Sequence, residues 1–186
     1  AAALAAARCG VSVTLLERFG CFGGNITVVG VEGFAWYRHE ATVEAGGIGW
    51  EFEERAKVMG AAVPESQSLS YELDSEGFKL VADTLVQEAD IHPMLHRQFA
   101  APIMEGDMII GVIVESKAGR EAILAKRVVD ATGDADVALR AGAPTSKTPV
   151  EDMQAASVMF HLAGVDKAAF MAGVKADPQT YKDWSS

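Results

Sequence analysis

Three carboxylates and a glycine gather in one stretch of this chain, Val-Val-Asp-Ala-Thr-Gly-Asp-Ala-Asp at 128–136, where a β-branched apolar pair runs into a turn without bulk. A backbone so bare admits a flat or anionic ligand. Asp134 and Asp136 then open a helical pattern of Val137, Ala138, Leu139 and Ala141, where carboxylates suit the free N–H groups of a first turn. Gly142 closes that pattern, and Pro144 forbids its continuation. The spacing predicts a buried parallel strand, a glycine turn and a helix, and ligands of open α/β sheets lie beyond the carboxyl ends of such strands. An ordinary strand–turn–helix corner fits the stretch equally well.

A second acid stands at the end of another apolar run. Gly10 stops an Ala-rich opening helix, Val11–Leu16 alternates into a strand, and Glu17-Arg18 ends it. In a dinucleotide-binding βαβ unit the acid at the end of the second strand accepts the hydrogen bonds of a ribose diol. Taken alone, Glu17 reads more readily as a solvated strand-end carboxylate; after an Ala-rich helix and with the loop that follows, the ribose reading is favoured. The loop after it holds Gly23-Gly24, a pair that permits positive φ and close backbone approach, with Asn25 and Thr27 as hydrogen-bonding groups. So many apolar residues lie in it, among them Phe19, Phe22, Ile26, Val28 and Val29, that burial of the loop is expected.

Within its own segment, His39 is the residue most suitable for proton transfer. It sits in a segment, 31–47, whose aromatic and titratable residues suit a substrate wall or an interfacial loop. His92 and His96 lie four apart, but Pro93 between them disfavours a helix and no third ligand completes a set, so metal binding is not expected. Cys21 has no resolving partner nearby in sequence and reads as a packed small hydrophobe.

These groups need a frame. Residues 1–9 form a helix, 47–59 an amphipathic helix with Ile48, Phe52, Ala56 and Met59 inward, and 77–89 another with Phe78, Leu80, Val81, Leu85 and Val86 inward. Between the last two, 61–76 reads as a polar surface loop or a short edge strand. A strand over 91–96 precedes three apolar strands at 99–104, 108–115 and 121–125, joined by the turns Gly106-Asp107 and 117–120 into a β-meander. The chain then returns through 128–131 to the parallel sheet. A strand-like run over 153–162 and a short helix over 167–174 belong to a further region of the chain.

Composition narrows the partners. A net charge of −10 over 186 residues argues against a nucleic-acid backbone, which needs clustered Lys and Arg. No apolar run approaches the ~20 residues that span a bilayer. Two cysteines without metal or disulfide spacing point to a reducing cytoplasm. The opening helix has no N-cap, no initiator Met and no strand before it, from which residues upstream, and also downstream of Ser186, are expected to be missing.

The order of elements resembles the glutathione-reductase-type FAD-binding fold. Leu-Leu-Glu-Arg at 15–18 with Gly23-Gly24, Gly-Val-Ile-Val-Glu at 111–115, Lys-Arg-Val-Val-Asp-Ala-Thr-Gly-Asp-Ala-Asp at 126–136 and Ala-Gly-Ala-Pro at 141–144 together look like the FAD-dependent oxidoreductase family related to fumarate-reductase-type flavoproteins. The Asp-Ala-Thr-Gly-Asp-x-Asp segment is the specific part. The resemblance implies an α/β class: a Rossmann-like FAD-binding domain over 1–145, with a helical insertion at about 30–75, and the start of a substrate domain over 146–186.

The same resemblance implies FAD as cofactor, a small-molecule substrate and a possible electron-transfer partner, and leaves the oligomeric state open. By it, Glu17 binds the adenosine ribose, Arg18 flanks the adenine, and Gly23, Gly24 and Asn25 run along the pyrophosphate and ribityl chain. Phe99 matches the position whose backbone holds the adenine edge, and Thr132, Gly133 and Asp134 match the turn that closes over the adenosine half. The glycine-rich turn that holds the pyrophosphate would fall before Ala1, and disulfide reductases of the same fold need a Cys pair that Cys21 alone does not supply. A relative binding NAD alone fits less well, because simple nicotinamide dehydrogenases connect these strands by helices. The alternative outside catalysis is a truncated or degenerate module that packs on another subunit and binds no cofactor.

Overall fold

The computed structural model describes residues 1–34, 38–39, 42–43, 46–65 and 69–180. Contacts divide the chain into one unit over 1–155 and a second over 156–186. In the first, α1 (Ala2–Arg8) leads into β1 (Thr14–Leu16), and a π-helical turn spans Asn25–Val29. A two-residue hairpin of β2 (Arg38–His39) and β3 (Thr42–Val43) precedes α2 (Ile48–Val58). Next come β4 (Ala62–Pro64), β5 (Tyr71–Leu73) and α3 (Ser75–Glu88), then β6 (His92–Met94).

β1 and β6 pair in parallel, Leu16 opposite Met94. Pro93 is tolerated in β6 because the ladder uses its neighbours: the His92 N–H donates to Val13 at 2.9 Å, while the Met94 carbonyl accepts from Glu17 at 3.0 Å. The core lies under this pair. Leu4 of α1, Phe22, Ala56 of α2, Leu73 and the inner stripe of α3 (Phe78, Val81, Ala82, Leu85, Val86) close on Ile91. Phe34 and Phe52 pack against Phe78 with ring centroids 5.8 and 5.7 Å away.

α3 starts where it does because Asp74 accepts hydrogen bonds from the N–H groups of Glu76 and Gly77. Its inner face differs from expectation at one place: Leu80 is 58% exposed. The stripe runs 78, 81, 82, 85, 86, the helical period, and position 80 falls on the other side of it. Met59 likewise turns outward. Of the two readings for 61–76, the strand is the one found at its described residues: Ala62–Pro64 (β4) pairs antiparallel with Tyr71–Leu73 (β5).

The meander is β7 (Gln98–Glu105), β8 (Met108–Ser116) and β9 (Gly119–Leu124), antiparallel throughout. Gly111 on β8 faces β9 so closely that a Cβ there would lie 2.4 Å from the Ile123 carbonyl oxygen. Backbone cannot step aside as a side-chain tip can. Gly111→Ala is therefore expected to lower unfolding free energy by about 2 kcal/mol in urea denaturation, and a change below about 0.5 kcal/mol would contradict the close approach.

Two expected strands are absent. Val128–Ala131 pairs with no strand among the described residues, and Val129 is 68% exposed. A strand is a pairing as much as a property of its residues, and among the described residues the parallel sheet consists of β1 and β6 alone. α4 (Asp136–Arg140) comes directly after the turn. The expected strand over 153–162 likewise pairs with no strand among the described residues, and α5 (Lys167–Ala176) is capped by Asp166, whose side chain accepts from Ala169 N at 3.0 Å. No helix among the described residues is long and apolar enough to cross a membrane.

Candidate functional site

The carboxyl ends of β1 and β6 are laced together. Beyond the ladder, the Arg97 N–H donates to the Glu17 carbonyl at 2.9 Å and the His96 N–H to the Phe19 carbonyl at 3.0 Å. Arg97 Nε also pairs with Glu121 Oε2 on β9 at 2.6 Å, which ties the parallel pair to the meander. On this platform the Glu17 carboxylate accepts from the Phe19 N–H through Oε1 at 2.9 Å. No group among the described residues engages its second oxygen, so a diol can. The Arg18 guanidinium lies over the Phe19 ring at 4.6 Å, an exposed cation beside the same turn.

His96 adopts φ 54, and its ring fills the space where a Cβ on Gly20 would lie 2.8 Å from its Cε1. No local pattern signals this contact. A glycine after Phe19 is visible in the sequence, but not which side chain requires it.

Gly23 and Gly24 do take positive φ, 121 and 62. They differ in why. A Cβ on Gly23 would strike Thr27 Cγ2 at 2.2 Å, so that glycine is required by the fold itself. Thr27 is held there by its hydroxyl, which donates to the Phe22 carbonyl at 2.9 Å. Gly24 has open space above it, and Asn25 is exposed at the start of the π-helical turn. The loop is buried only in part: Phe22 enters the core and Ile26 packs on it, while Phe19 and Val29 remain at the surface.

The turn at 130–138 is built around a residue that residue type and order alone did not single out. Asp130 accepts four hydrogen bonds: from the Thr132 N–H at 3.1 Å and hydroxyl at 2.7 Å on Oδ1, and from the Val137 and Ala138 N–H groups at 3.0 Å each on Oδ2. It replaces Asp134 as the cap of α4, a correction with a simple cause. Ala135 stands at the N-cap in the left-handed region, φ 57, so no carboxylate on the turn's tip points back at the first helical N–H groups. Burial alone would raise the Asp130 pKa, but the N–H of Ala138, the hydroxyl and N–H of Thr132 and the N–H of Val137 outweigh it and hold the carboxyl below its ordinary value. The stability it contributes is present above about pH 4 and is lost as pH falls through the lowered value.

α4 reaches the meander through Arg140, which donates to the Ala100 carbonyl and lies over the Phe99 ring at 5.6 Å. Phe99 is two residues beyond Arg97. Hydrogen bonds thus link Glu17 to Arg97, the Arg140 side chain links α4 to Phe99 and Ala100 on β7, and Asp130 links α4 to Thr132 of the turn. Among the described residues no hydrogen bond or ion pair joins 23–25 to that turn. His39 lies on β2 by its backbone; its side chain falls outside the described residues.

The arrangement comprises a carboxylate with one unengaged oxygen at a parallel strand end and, separately, bare backbone at Gly24 and at Gly133, each with nothing within 4 Å of a notional Cβ. Residues 1–185 match the family model described as FAD dependent oxidoreductase. No curated protein matches. Among solved structures the chain is similar to Thermovibrio ammonificans THI4, with a TM-score of 0.52, 18% identity and coverage of 75% of this chain and 55% of that one. At that identity the likeness is one of fold, and the chain spans little more than half of that neighbour.

Proposed function

The chain belongs to the FAD-dependent oxidoreductase family, and on that premise we propose that it holds the adenosine half of FAD at the carboxyl end of β1 and serves hydride transfer on a small-molecule substrate. The fold is Rossmann-like α/β, a parallel pair with a three-stranded meander. Bound FAD would supply the hydride chemistry, for which no amino acid side chain substitutes. The chain's own residues bind and orient.

Glu17 accepts the ribose hydroxyls, and Arg18 flanks the adenine. The backbone at Phe99 meets the adenine edge, while Thr132, Gly133 and Asp134 close over the adenosine half. Gly23, Gly24 and Asn25 line the pyrophosphate and ribityl path. His39 handles the substrate proton. Residues 1–145 act as the cofactor domain and 146 onward begins the substrate region; Gly142 and Pro144 after α4 support a boundary there. Two unbridged thiols, Cys9 and Cys21, suit a reducing cytoplasm.

The observation that carries the reading is the open oxygen of Glu17 at the strand end that also leads, through Arg97, to Phe99 and Arg140. Anaerobic mixing of the FAD-loaded complete gene product with panels of small-molecule hydride donors tests it. Bleaching of the flavin band by one chemical class supports the proposal; a bound flavin that no donor bleaches and that, once reduced chemically, no acceptor reoxidises would overturn the oxidoreductase role. The unpaired run Val128–Ala131 favours a second reading, a Rossmann-like module in a structural or subunit-contact role, which predicts no FAD uptake at all.

A further inference from the structure

We infer that Asp130 is the positioning residue of the cofactor-binding turn, fixing Thr132–Asp134 in the shape that closes over the adenosine half. The inference rests on the proposed FAD reading and adds a residue to it. A single carboxylate bridges both ends of the turn: Oδ1 takes the N–H and hydroxyl of Thr132, and Oδ2 takes the N–H groups of Val137 and Ala138. Thr132 extends the clamp, because its Oγ1 in turn accepts from the Asp136 N–H at 2.9 Å.

Between the clamped ends lies backbone that would not hold this shape unaided. Gly133 has φ 94 and Ala135 φ 57, and a left-handed alanine costs of order 1 kcal/mol and persists only where its surroundings impose it. Asp130 imposes it. The same carboxylate fills the first free N–H groups of α4, so these are not offered to a phosphate. The turn presents its tip at 133–135 to a ligand, where Gly133 leaves open space. Through Arg140, on the Ala100 carbonyl and over the Phe99 ring, the clamped turn is also set relative to the start of the meander. Asp130 touches no ligand in this scheme; it acts through Thr132 and the tip.

The test compares Asp130→Asn, Thr132→Val and Thr132→Ser in the complete gene product, by FAD titration of apoprotein and by amide exchange at Val137 and Ala138. Asparagine keeps the shape but can no longer accept on both sides. It is expected to weaken FAD about 30-fold and to speed exchange at both amides, since charge-assisted bonds are the strong ones. Thr132→Val, which keeps the Asp130 bonds to Val137 and Ala138 but loses the hydroxyl's bonds to Asp130 and to the Asp136 N–H, should weaken FAD about 5-fold, and Thr132→Ser, which restores the hydroxyl, should return within about 2-fold of wild type. If Asp130→Asn does not fold, the Thr132 pair decides the matter. Faster exchange with unchanged FAD affinity, or a serine variant no better than valine, would overturn the positioning role. Failure of wild-type protein to bind FAD would instead remove the reading beneath it, so the two failures are distinguishable.

Discussion

Lys57→Met is expected to cost about 3 kcal/mol of unfolding free energy, more than any surface charge deletion in this chain. The reason is Glu53, a carboxylate on α2 with no exposed surface, 2.6 Å from Lys57 Nζ. Lys57 also pairs with Glu54 at 2.7 Å and lies over the Tyr71 ring at 4.0 Å, so the ammonium joins α2 to β5. Taking the cation away leaves a buried negative charge without it, and that desolvation dominates. Burial is the strongest single influence on the Lys57 pKa and lowers it, but hydrogen bonds and charge from Glu53 and Glu54 together raise it above 10.5. Its contribution is therefore fully present below about pH 10.5 and is lost as pH rises through the higher folded value. Guanidinium denaturation of three proteins checks the argument. The double variant Glu53→Met with Lys57→Met should recover most of the loss, because a buried ion pair exchanged for apolar volume is close to neutral. A double variant no more stable than Lys57→Met alone would show that the cost lies in lost packing over Tyr71.

Glu17→Ala is expected to weaken FAD about 100-fold, with Glu17→Gln near 10-fold. A carboxylate accepting a ribose diol makes charge-assisted bonds; the amide keeps one acceptor and none of the charge. The folded protein should tolerate both changes, because the laced strand ends use the backbone of Glu17 and, among the described residues, only one side-chain bond, to Phe19, is lost. Isothermal titration of apoprotein reads the affinities, and circular dichroism confirms the fold. Equal FAD binding by wild type and Glu17→Ala would place the ribose elsewhere.

Periodicity and turn residues made the frame legible. α1, α2, α3, the meander and α5 lie where apolar spacing and glycine punctuation put them. The outcomes that strand pairing decides were not legible. Val128–Ala131 has strand residues and no strand beside it among the described residues, whereas the weak pattern of 61–76 left loop and short edge strand open, and Ala62–Pro64 pairs with Tyr71–Leu73. At the site, Glu17 and the Gly133 turn were readable from residue type and order. Asp130 was hidden because its partners lie both two and seven to eight residues away, although Asp with Thr two positions on is the mark of a side chain bonded to its own turn. His96 against Gly20 and Arg140 over Phe99 are tertiary contacts with no local signal at all. Glu53 was hidden for the opposite reason: a charged residue on an amphipathic helix reads as solvent-facing until its cation is seen.

Family membership and an open carboxylate at a parallel strand end converge on one claim, that this protein binds FAD. An absorbance spectrum of the purified complete gene product, with denaturation afterwards and identification of whatever is released, tests it most directly. The account predicts a yellow protein, or a colourless one that turns yellow with added FAD, and release of FAD in about equimolar amount. A folded, colourless protein that takes up no FAD would contradict it, and Glu17 with Thr132–Asp134 would then be corners of a structural domain.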